Sequence, residues 1–453
     1  MSRLHVLACL PLALWAADRK PPVRKAAPET APAITRTLSL PVSLPAASGP
    51  AINGQCVVST GPALPLSALA FHPEGKLLAV GGYREVLVWD LENARLARRL
   101  GADALAGQVR AVAFLPGGQS LAVAEGVPGS SGHVRLLDFE GGKITATLDS
   151  SKDEVLALAV SPDGKFLAAG GTDNQVRVWE LPGGKLATTL KDHSDWVSGV
   201  AFSGDGKFLA SASADRTSNV WEVGAWTKLV NLPPVVTEPV RGVAFSPDSD
   251  IMVFAVGGED DRAVRIWRTE VVRPPEQETE AARARRKSLL QNTRPASTGA
   301  GIPFGVGFGV VAGTQPLASR VRMYVPCSDK TIKVMNATGG VLATLSGHQD
   351  WVYAAVLSPD GTRLATSGAD GTVKLWSGTD NALWATLVQM APRGDDWLIV
   401  TPRGFHAWSS PKDVEWKAAD GKPVAPEIIQ KLEQAGMVKA ALAGLKAPPP
   451  ARK

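Results

Sequence analysis

Cysteine is scarce in this sequence, and the few cysteines follow no metal or haem pattern. The 453 residues contain three cysteines, Cys9, Cys56 and Cys327, with no C-x-x-C zinc spacing and no C-x-x-C-H haem motif. Two cysteines beyond the N-terminus do not make a disulfide framework, and the sequence leaves open whether Cys56 and Cys327 pair. We therefore expect no resident metal and no cofactor.

Recognisable catalytic motifs are missing as well. The chain has no G-x-S-x-G nucleophile turn, no H-E-x-x-H zinc motif and no EF-hand loop, and its six histidines are scattered. Hydrolases of the common classes need a nucleophile beside a base and an orienting group. The absence of these patterns favours a protein that is not an enzyme.

Long hydrophobic runs and dense basic runs are equally lacking. Beyond the N-terminus, no apolar stretch is long enough to cross a membrane as a helix, so we expect no membrane span. The net charge of +5 is spread over the chain without a basic face interleaved with aromatics. We therefore expect no nucleic-acid partner.

The N-terminal region is typical of an exported protein. Residues 1–17, MSRLHVLACLPLALWAA, combine Arg3 with an apolar core and small residues at Ala16 and Ala17, and they predict a signal peptide. The protein is then secreted or periplasmic; if the apolar N-terminus is accidental, it is cytoplasmic. Residues 18–55 are rich in Pro, Ala and Ser and predict a linker.

Two distant stretches of the chain share one internal spacing. Each runs from a histidine to a tryptophan, His193 to Trp221 and His348 to Trp376, and the two stretches are equal in length. Asp215 and Asp370 also occupy the same position relative to their histidines. Both stretches contain an apolar run, a turn similar to S-P-D-G-K, a second apolar run, a polar turn and a third run. They are copies of one structural unit.

Seven copies of this unit can be aligned at the tryptophan position. The interval between the fifth and sixth positions holds an insertion. The others are close to the period of about 40–45 residues that is typical of a four-stranded propeller blade, slightly stretched in places. The residues at this position are Trp89, Leu137, Trp179, Trp221, Trp267, Met335 and Trp376.

In these repeats the chain resembles the WD-repeat (WD40) β-propeller family, of a bacterial exported type. The resemblance covers about residues 60–390 and implies an all-β fold, a seven-bladed β-propeller of four-stranded antiparallel blades. It also implies a hydrogen-bonded His–Ser/Thr–Asp–Trp set inside a blade, which we call the blade tie. By position, the tie comprises His193, Ser211, Asp215 and Trp221 in copy four and His348, Thr366, Asp370 and Trp376 in copy seven, with Asp173 and Trp179 retained in copy three.

Some copies depart from the tie, and additions surround the repeats. Copies two and six lack the tryptophan, so we expect their blades to depend on apolar packing alone. Residues 270–301 form an insertion that follows copy five in place of a clear outer strand, with a basic helix predicted over 276–291. Residues 391–453 predict a C-terminal extension, with a hairpin around 397–408 and an amphipathic helix over 426–445.

The resemblance implies a partner-binding surface on the narrow face, where each first strand starts. Trp, Tyr and Arg, which are enriched in binding hot spots, occur there. We therefore predict a non-enzymatic scaffold, a monomeric propeller within a larger assembly, that binds another protein or peptide. Alignment on the S-P-D-G turn gives the candidates Arg110, Glu154, Trp196, Ser198, Arg241, Trp351 and Tyr353.

Two other functions stay open. One is a lactonase-like hydrolase with a metal in the central channel, which needs carboxylates and histidines converging there, whereas the first-strand positions are mostly apolar or small. The other is an accessory subunit of an exported redox system, a role that would depend on the partner because nothing in this chain binds haem.

Overall fold

The computed structural model describes most of the repeat region and parts of both ends. The described residues are 36–44, 52–60, 65–102, 104–151, 153–232, 238–248, 251–257, 262–268, 280, 295–391, 393–411 and 413–444. The predicted signal peptide, the linker before residue 36 and, apart from residue 280, the predicted helix over 276–291 lie outside them.

In the described residues, seven antiparallel sheets follow an N-terminal hairpin of β1 (Arg36–Leu44) and β2 (Ile52–Thr60). Each sheet consists of strands that are consecutive in sequence. Sheet 1 contains β3 (Ala68–Phe71), β4 (Leu77–Gly81), β5 (Val86–Asp90) and β6 (Arg95–Leu100). Sheet 2 contains β7 (Gln108–Phe114), β8 (Ser120–Val127), β9 (Ser131–Asp138) and β10 (Ile144–Ser151). Sheet 3 contains β11 (Val155–Val160), β12 (Phe166–Gly171), β13 (Val176–Glu180) and β14 (Lys185–Leu190).

The later sheets keep this order and the last one is extended. Sheet 4 contains β15 (Val197–Phe202), β16 (Phe208–Ser213), β17 (Ser218–Glu222) and β18 (Lys228–Leu232). Sheet 5 contains β19 (Val240–Phe245), β20 (Ile251–Gly257), β21 (Arg262–Arg268) and β22 (Pro295–Ser297). Sheet 6 contains β23 (Gly307–Val310), then the short helix α1 (Leu317–Arg320), β24 (Val321–Pro326), β25 (Thr331–Met335) and β26 (Val341–Ser346). Sheet 7 contains β27 (Val352–Leu357), β28 (Arg363–Gly368), β29 (Thr372–Ser377), β30 (Leu383–Gln389), β31 (Trp397–Val400) and β32 (His406–Trp408).

The hydrophobic core lies between neighbouring sheets. All residues of β5 and β16 are buried because adjoining sheets cover both faces of these strands. Phe208 and Val220 of sheet 4, for example, pack against Val243 of sheet 5. Each such side chain contributes about 1.5–3 kcal/mol when it is fully buried. The all-β architecture of four-stranded antiparallel sheets that the repeats predicted is confirmed.

The first strands of the seven sheets lie side by side in sequence order. β3 contacts β7, β7 contacts β11, and the series continues through β15, β19, β23 and β27, which in turn contacts β3. Two of these approaches leave little room for a side chain. A Cβ placed on Gly199 would lie 3.0 Å from the Cα of Gly242, and a Cβ placed on Gly242 would lie 3.0 Å from the Cα of Gly305.

The repeated S-P-D-G-type turns between first and second strands are closed by their own side chains. In sheet 3, the Ser161 hydroxyl donates to the Asp163 carboxylate at 2.7 Å and accepts from the Phe166 amide at 2.9 Å. The glycine that follows, Gly164, has a φ of 71°, a conformation that costs other residues energy. This geometry explains why serine, aspartate and glycine recur together in the repeats.

A three-stranded sheet joins the two ends of the chain. β2 pairs with β1 on one side and with β33 (Val414–Ala418) on the other, and we call this the terminal sheet. The linker predicted over 18–55 is therefore wrong from residue 36 onward, where the described residues form strands. Leu38, Leu40 and Val42 are buried against the outer strands of sheet 7. Their alternation predicts a strand, but the overall composition of the segment does not show it.

The outer edge of β1 is blunted against further pairing. The Ser43 amide donates outward to the Pro402 carbonyl at 2.7 Å, and the Ser39 carbonyl accepts from the Gln349 side chain. Backbone groups of alternate residues face the same edge, so Pro41, which has no N–H, also faces outward. Proline is a common device for protecting an edge strand.

The C-terminal extension contains more strands and shorter helices than predicted. β31 and β32 form a hairpin within residues 397–408 and add to the outer edge of sheet 7, and β33 was not predicted. The helix expected over 426–445 is divided into α2 (Pro426–Leu432) and α3 (Ala435–Leu442). The division follows from a tertiary contact, since Glu433 bridges to His406 and its carboxylate accepts from the Trp408 indole at 3.0 Å.

Sheet 5 has a fourth strand, contrary to the expectation that copy five lacks one. The three residues of β22, at the end of the insertion, pair with residues 263–265 of β21. The strand is short and begins with Pro295, so it carries little of the apolar alternation by which the other outer strands were recognised.

Cys56 and Cys327 are free, buried thiols in two different cores. Cys56 packs in the terminal-sheet core, and Cys327 packs with Met323 and Met335 in sheet 6. Burial raises the pKa of Cys327 to about 12, so this thiol is unreactive at neutral pH. No helix in the described ranges has the length and apolar character required to traverse a bilayer.

Candidate partner-binding site

The blade tie of sheet 7 is complete. The His348 Nδ1 lies 2.9 Å from the Asp370 Oδ2, and Nε2 lies 2.8 Å from the Thr366 hydroxyl, which accepts from the Trp376 indole at 2.9 Å. A carboxylate only accepts, so the His348 Nδ1 donates to Asp370. The tie is thus a relay from indole to carboxylate in which each buried polar group has a partner.

The tie of sheet 4 lacks its last bond. The His193 Nδ1 lies 2.9 Å from the Asp215 carboxylate and Nε2 lies 2.7 Å from the Ser211 hydroxyl, but the buried Trp221 indole N–H has no hydrogen-bond partner. The predicted contact of this indole with the hydroxyl is wrong. Ser211 lacks the second Cβ substituent that restricts the rotamer of threonine, and Asn219 also approaches His193 Nε2, at 3.2 Å.

The aspartates of both ties are held in their charged form. Burial alone would raise the pKa of Asp370, but the His348 ring and the Gln349 amide outweigh it and hold the pKa below its usual value. The pKa of Asp215 is lowered in the same way, by its bonds to His193 and Thr217 against the effect of burial. Both carboxylates therefore contribute stability while they are ionised.

The Asp370 carboxylate is expected to make stability depend on pH in the acid range. Its folded pKa lies below the unfolded value of 3.8, so its contribution is present above pH 3.8 and is lost as the pH falls through the folded pKa. Asp370→Asn is expected to lower the unfolding free energy by about 3 kcal/mol at pH 7, with the difference from the parent chain narrowing below pH 4. Urea unfolding between pH 7 and 3 measures both; a difference that does not change with pH would contradict the assignment.

Ion pairs replace the tie where histidine is missing. Sheet 3 pairs Asp173 with Arg177 at 2.7 Å. Sheet 2 pairs the fully buried Glu125 with Arg135 at 2.8 Å, and sheet 6 pairs Asp329 with Lys333 at 2.9 Å. The expectation that sheets 2 and 6 depend on apolar packing alone is wrong. In each pair the cation stands two residues before the tryptophan position. A basic residue at that position is therefore the sequence signal for these ion pairs.

Four of the predicted partner-binding residues lie in sheets 2, 3 and 4 or beside them, and three of these four form side-chain hydrogen bonds to neighbouring elements. Arg110 of sheet 2 holds the Glu154 carboxylate, which precedes β11, through Nε at 2.9 Å and Nη2 at 2.8 Å. Burial raises the pKa of Glu154 against the opposing effect of Arg110. The Ser198 hydroxyl donates to the Val240 carbonyl of sheet 5 at 2.7 Å. Trp196 is partly buried beside sheet 4.

The other three residues, Arg241, Trp351 and Tyr353, meet around a side chain that the sequence analysis did not select. The Phe304 ring lies 5.6 Å from the Trp351 ring and 5.3 Å from the Tyr353 ring, centroid to centroid. The Arg241 guanidinium lies 5.9 Å from the centre of the same Phe304 ring. These four residues, which we call the aromatic cluster, join sheets 5, 6 and 7 at the end where their first strands begin.

Phe304 escaped selection because copy six has no S-P-D-G turn on which to align. Its position is nevertheless visible in a shorter motif. Ser198-Gly-Val, Arg241-Gly-Val and Phe304-Gly-Val are equivalent triplets, and their glycines are the ones that approach each other at the first strands. Phe304 therefore stands where Ser198, Arg241 and Tyr353 stand in the other sheets.

The cluster has the chemistry of a contact surface. Its three rings are partly buried and partly open to solvent, while Arg241 is 8% exposed. Burial lowers the pKa of Arg241, and Glu238 opposes this effect. Among the described residues, no group of three or more His, Cys, Asp or Glu side chains is arranged to hold a metal ion. The cluster therefore presents the partly exposed surfaces of three aromatic rings, with the buried Arg241 guanidinium against the Phe304 ring.

Comparison with known families finds one repeated match. The family "WD domain, G-beta repeat" (WD40) matches residues 54–90, 142–180, 184–222, 234–268 and 339–377. Each match ends one residue after a tryptophan of the aligned position, and the copies with Leu137 or Met335 there are not matched. The matches thus follow the repeat unit derived above.

Several curated proteins are similar to parts of the chain. The WD repeat-containing protein VIP3 of Arabidopsis thaliana is 36% identical over 130 residues, 25% of this chain and 39% of that protein. The nuclear distribution protein PAC1 of Ajellomyces capsulatus (strain H143) is 28% identical over 137 residues, 30% and 29% of the two chains. The small ribosomal subunit protein RACK1y of Oryza sativa subsp. japonica is 43% identical over 56 residues, 12% and 17% of the two. The chain therefore spans less than half the length of each of these relatives, and these eukaryotic proteins lend no support to a bacterial exported type.

Proposed function

Because the chain carries WD40 repeats, we propose that it is a non-enzymatic scaffold that binds another protein through the aromatic cluster. In this proposal the seven sheets are the blades of one closed propeller, and the cluster lies on its narrow face. The predicted signal peptide makes the scaffold an exported one. The chain works as a monomeric propeller within a larger assembly.

The observation that carries the proposal is the convergence of Trp351 and Tyr353 on the Phe304 ring. Aromatic residues contribute large contact area at low entropic cost and dominate measured hot spots. Three separate sheets supply these rings and Arg241, so the cluster is fixed by the fold rather than by one loop. One of the relatives, VIP3, is named as a WD repeat-containing protein, which is consistent with a binding role.

Replacing Trp351 and Tyr353 by alanine is expected to abolish partner capture without unfolding the protein. Both rings are partly exposed, so their loss should lower the melting temperature by only a few degrees, while truncation of hot-spot residues weakens binding by at least about 2 kcal/mol each. Affinity capture from the native host, with cross-linking and quantitative mass spectrometry, measures the loss.

A matched control is available at the opposite end of the sheets. Trp226 is also partly buried and packs edge-on against Phe166 at 5.2 Å. Trp226→Ala should capture the same proteins as the parent chain. Undiminished capture by the double variant, or equal loss in the Trp226 variant, would contradict a binding role for the cluster.

A further inference from the structure

β1 begins on the side of the aromatic cluster. The Gln349 side chain donates to the Ser39 carbonyl of β1, and Gln349 stands two residues before Trp351. Further along β1, the Ser43 amide bonds to Pro402, in the turn between β31 and β32. β1 thus runs along sheet 7 with its start nearest the cluster. At about 3.4 Å per residue, Arg36 lies about 10 Å beyond Ser39.

The residues before β1 have a composition that suits aromatic surfaces. Residues 18–35 read DRKPPVRKAAPETAPAIT, with four prolines, four basic and two acidic side chains. Proline-rich segments have little conformational entropy to lose and bind to aromatic-lined grooves in extended form. Lysine and arginine side chains are attracted to the faces of tryptophan and tyrosine rings. Such a segment matches the cluster in both respects.

Carboxylates beside the cluster add charge complementarity. The Asp350 carboxylate accepts from the Trp351 amide at 2.9 Å, so it is held next to that ring. Glu238 lies close enough to Arg241 to act on its charge, and it is partly exposed. Arg241 itself is buried under Phe304 and presents little charge to solvent. The carboxylates of Asp350 and Glu238 therefore place negative charge beside the rings, which favours a basic segment over an acidic one.

We propose that residues 18–35 occupy the aromatic cluster within the same chain and compete there with the partner. The proposal rests on the proposed function, because the cluster must be a peptide-binding surface. Pro32 is four residues before Arg36, so the segment reaches the cluster without a long connection. A tethered segment has an effective concentration in the millimolar range, so that even a weak contact is populated. The segment then lowers the partner's apparent affinity.

Binding of a synthetic peptide in trans tests the proposal. The probe is a fluorescein-labelled peptide of residues 18–35, titrated by anisotropy with the full chain and with a full chain carrying Pro21→Gly, Pro22→Gly, Pro28→Gly and Pro32→Gly. The substituted chain is expected to bind the peptide at least tenfold more tightly, because its own segment no longer competes. Adding Tyr353→Ala to it should abolish binding, and Trp226→Ala should not.

Three results would overturn the proposal: equal peptide affinity for both chains, binding by neither chain, or binding that survives Tyr353→Ala. If Tyr353→Ala lowers the melting temperature markedly, Phe304→Leu replaces it as the test variant, since it keeps apolar volume and removes the ring. A failure of this proposal can be distinguished from a failure of the proposed function. Capture of a native partner at the cluster without peptide binding leaves the scaffold role intact and removes the internal occupant.

Discussion

Glu85→Ala is expected to lower the free energy of unfolding by about 3–5 kcal/mol, because it breaks a buried charge network between the first and last sheets. The Glu85 side chain is 1% exposed. Its Oε2 accepts from the Arg99 guanidinium at 2.6 Å, within sheet 1. Its Oε1 accepts from the Gln389 side chain at 3.1 Å and from the Arg393 amide at 2.9 Å, at the end of β30 and just beyond it. The Glu85 carboxylate therefore bonds both to sheet 1 and to the end of sheet 7, at the junction between the two sheets.

The loss of unfolding free energy in Glu85→Ala arises because the hydrogen-bond partners of Glu85 are left without their carboxylate. Burial alone would lower the pKa of Arg99, but its bonds to Asp395 and Glu85 raise it, so the partly buried guanidinium depends on both carboxylates. Asp395 is almost fully exposed and cannot replace a buried partner. Denaturant titration measures the loss, with Glu92→Ala as the matched control. The Glu92 pair with Lys76, 3.2 Å apart and half exposed, should contribute less than about 1 kcal/mol. Similar losses in the two variants would contradict a network at the junction.

The same junction is held by the C-terminal extension and by polar bonds. Val438 and Leu442 of α3 pack into a core that contains residues of sheets 1 and 7. Arg363 of sheet 7 donates to the Leu442 carbonyl and to the Gly75 carbonyl of sheet 1, each at 2.9 Å. No described strand is shared between sheets 1 and 7. The extension and these bonds therefore join the two sheets where a shared strand would otherwise do so.

Sequence reasoning succeeded where one unit repeats. The turn signals and the Trp position located most of the sheets, because the same buried strands and the same Ser–Asp turn recur at a nearly constant period. Sheet 6 has neither signal and was placed by its apolar runs and its distance from copy seven. The His–Asp spacing likewise located the ties, since the histidine precedes the first strand of its sheet and the aspartate lies in the turn between the second and third strands. Trp221 shows the limit: its indole bond depends on the rotamer of Ser211, which spacing cannot specify.

It failed where the structure depends on pairing between distant segments. β2 and β33 lie near opposite ends of the chain, and each alone resembles a loop with a few apolar residues. Phe304 acquires its role only when sheets 5, 6 and 7 are side by side. Likewise, the structural role of Arg135 and Lys333 depends on carboxylates that the structure places next to them, Glu125 and Asp329.

Gly361→Ala is expected to cost about 3–5 kcal/mol, the other large effect that the structure predicts. Gly361 has a φ of 71°, and a Cβ added there would lie 2.2 Å from the Val310 carbonyl oxygen and 2.6 Å from the Ala312 amide nitrogen. The Ala312 amide donates to the Gly361 carbonyl at 3.0 Å, so the added methyl group also disturbs the bond between sheets 6 and 7. Neither clash involves a flexible side chain that could move away.

Gly75→Ala separates the clash from the conformational strain. Gly75 occupies the equivalent turn of sheet 1 with a φ of 74°, but a Cβ there would meet only the Pro359 Cδ, at 3.9 Å. This variant should cost about 1–2 kcal/mol, the energy of a left-handed conformation for a non-glycine residue. The difference between the two variants, measured by urea unfolding, is then the cost of separating sheet 6 from sheet 7. Equal losses would show that the two sheets part without resistance and would contradict the close contact at Val310.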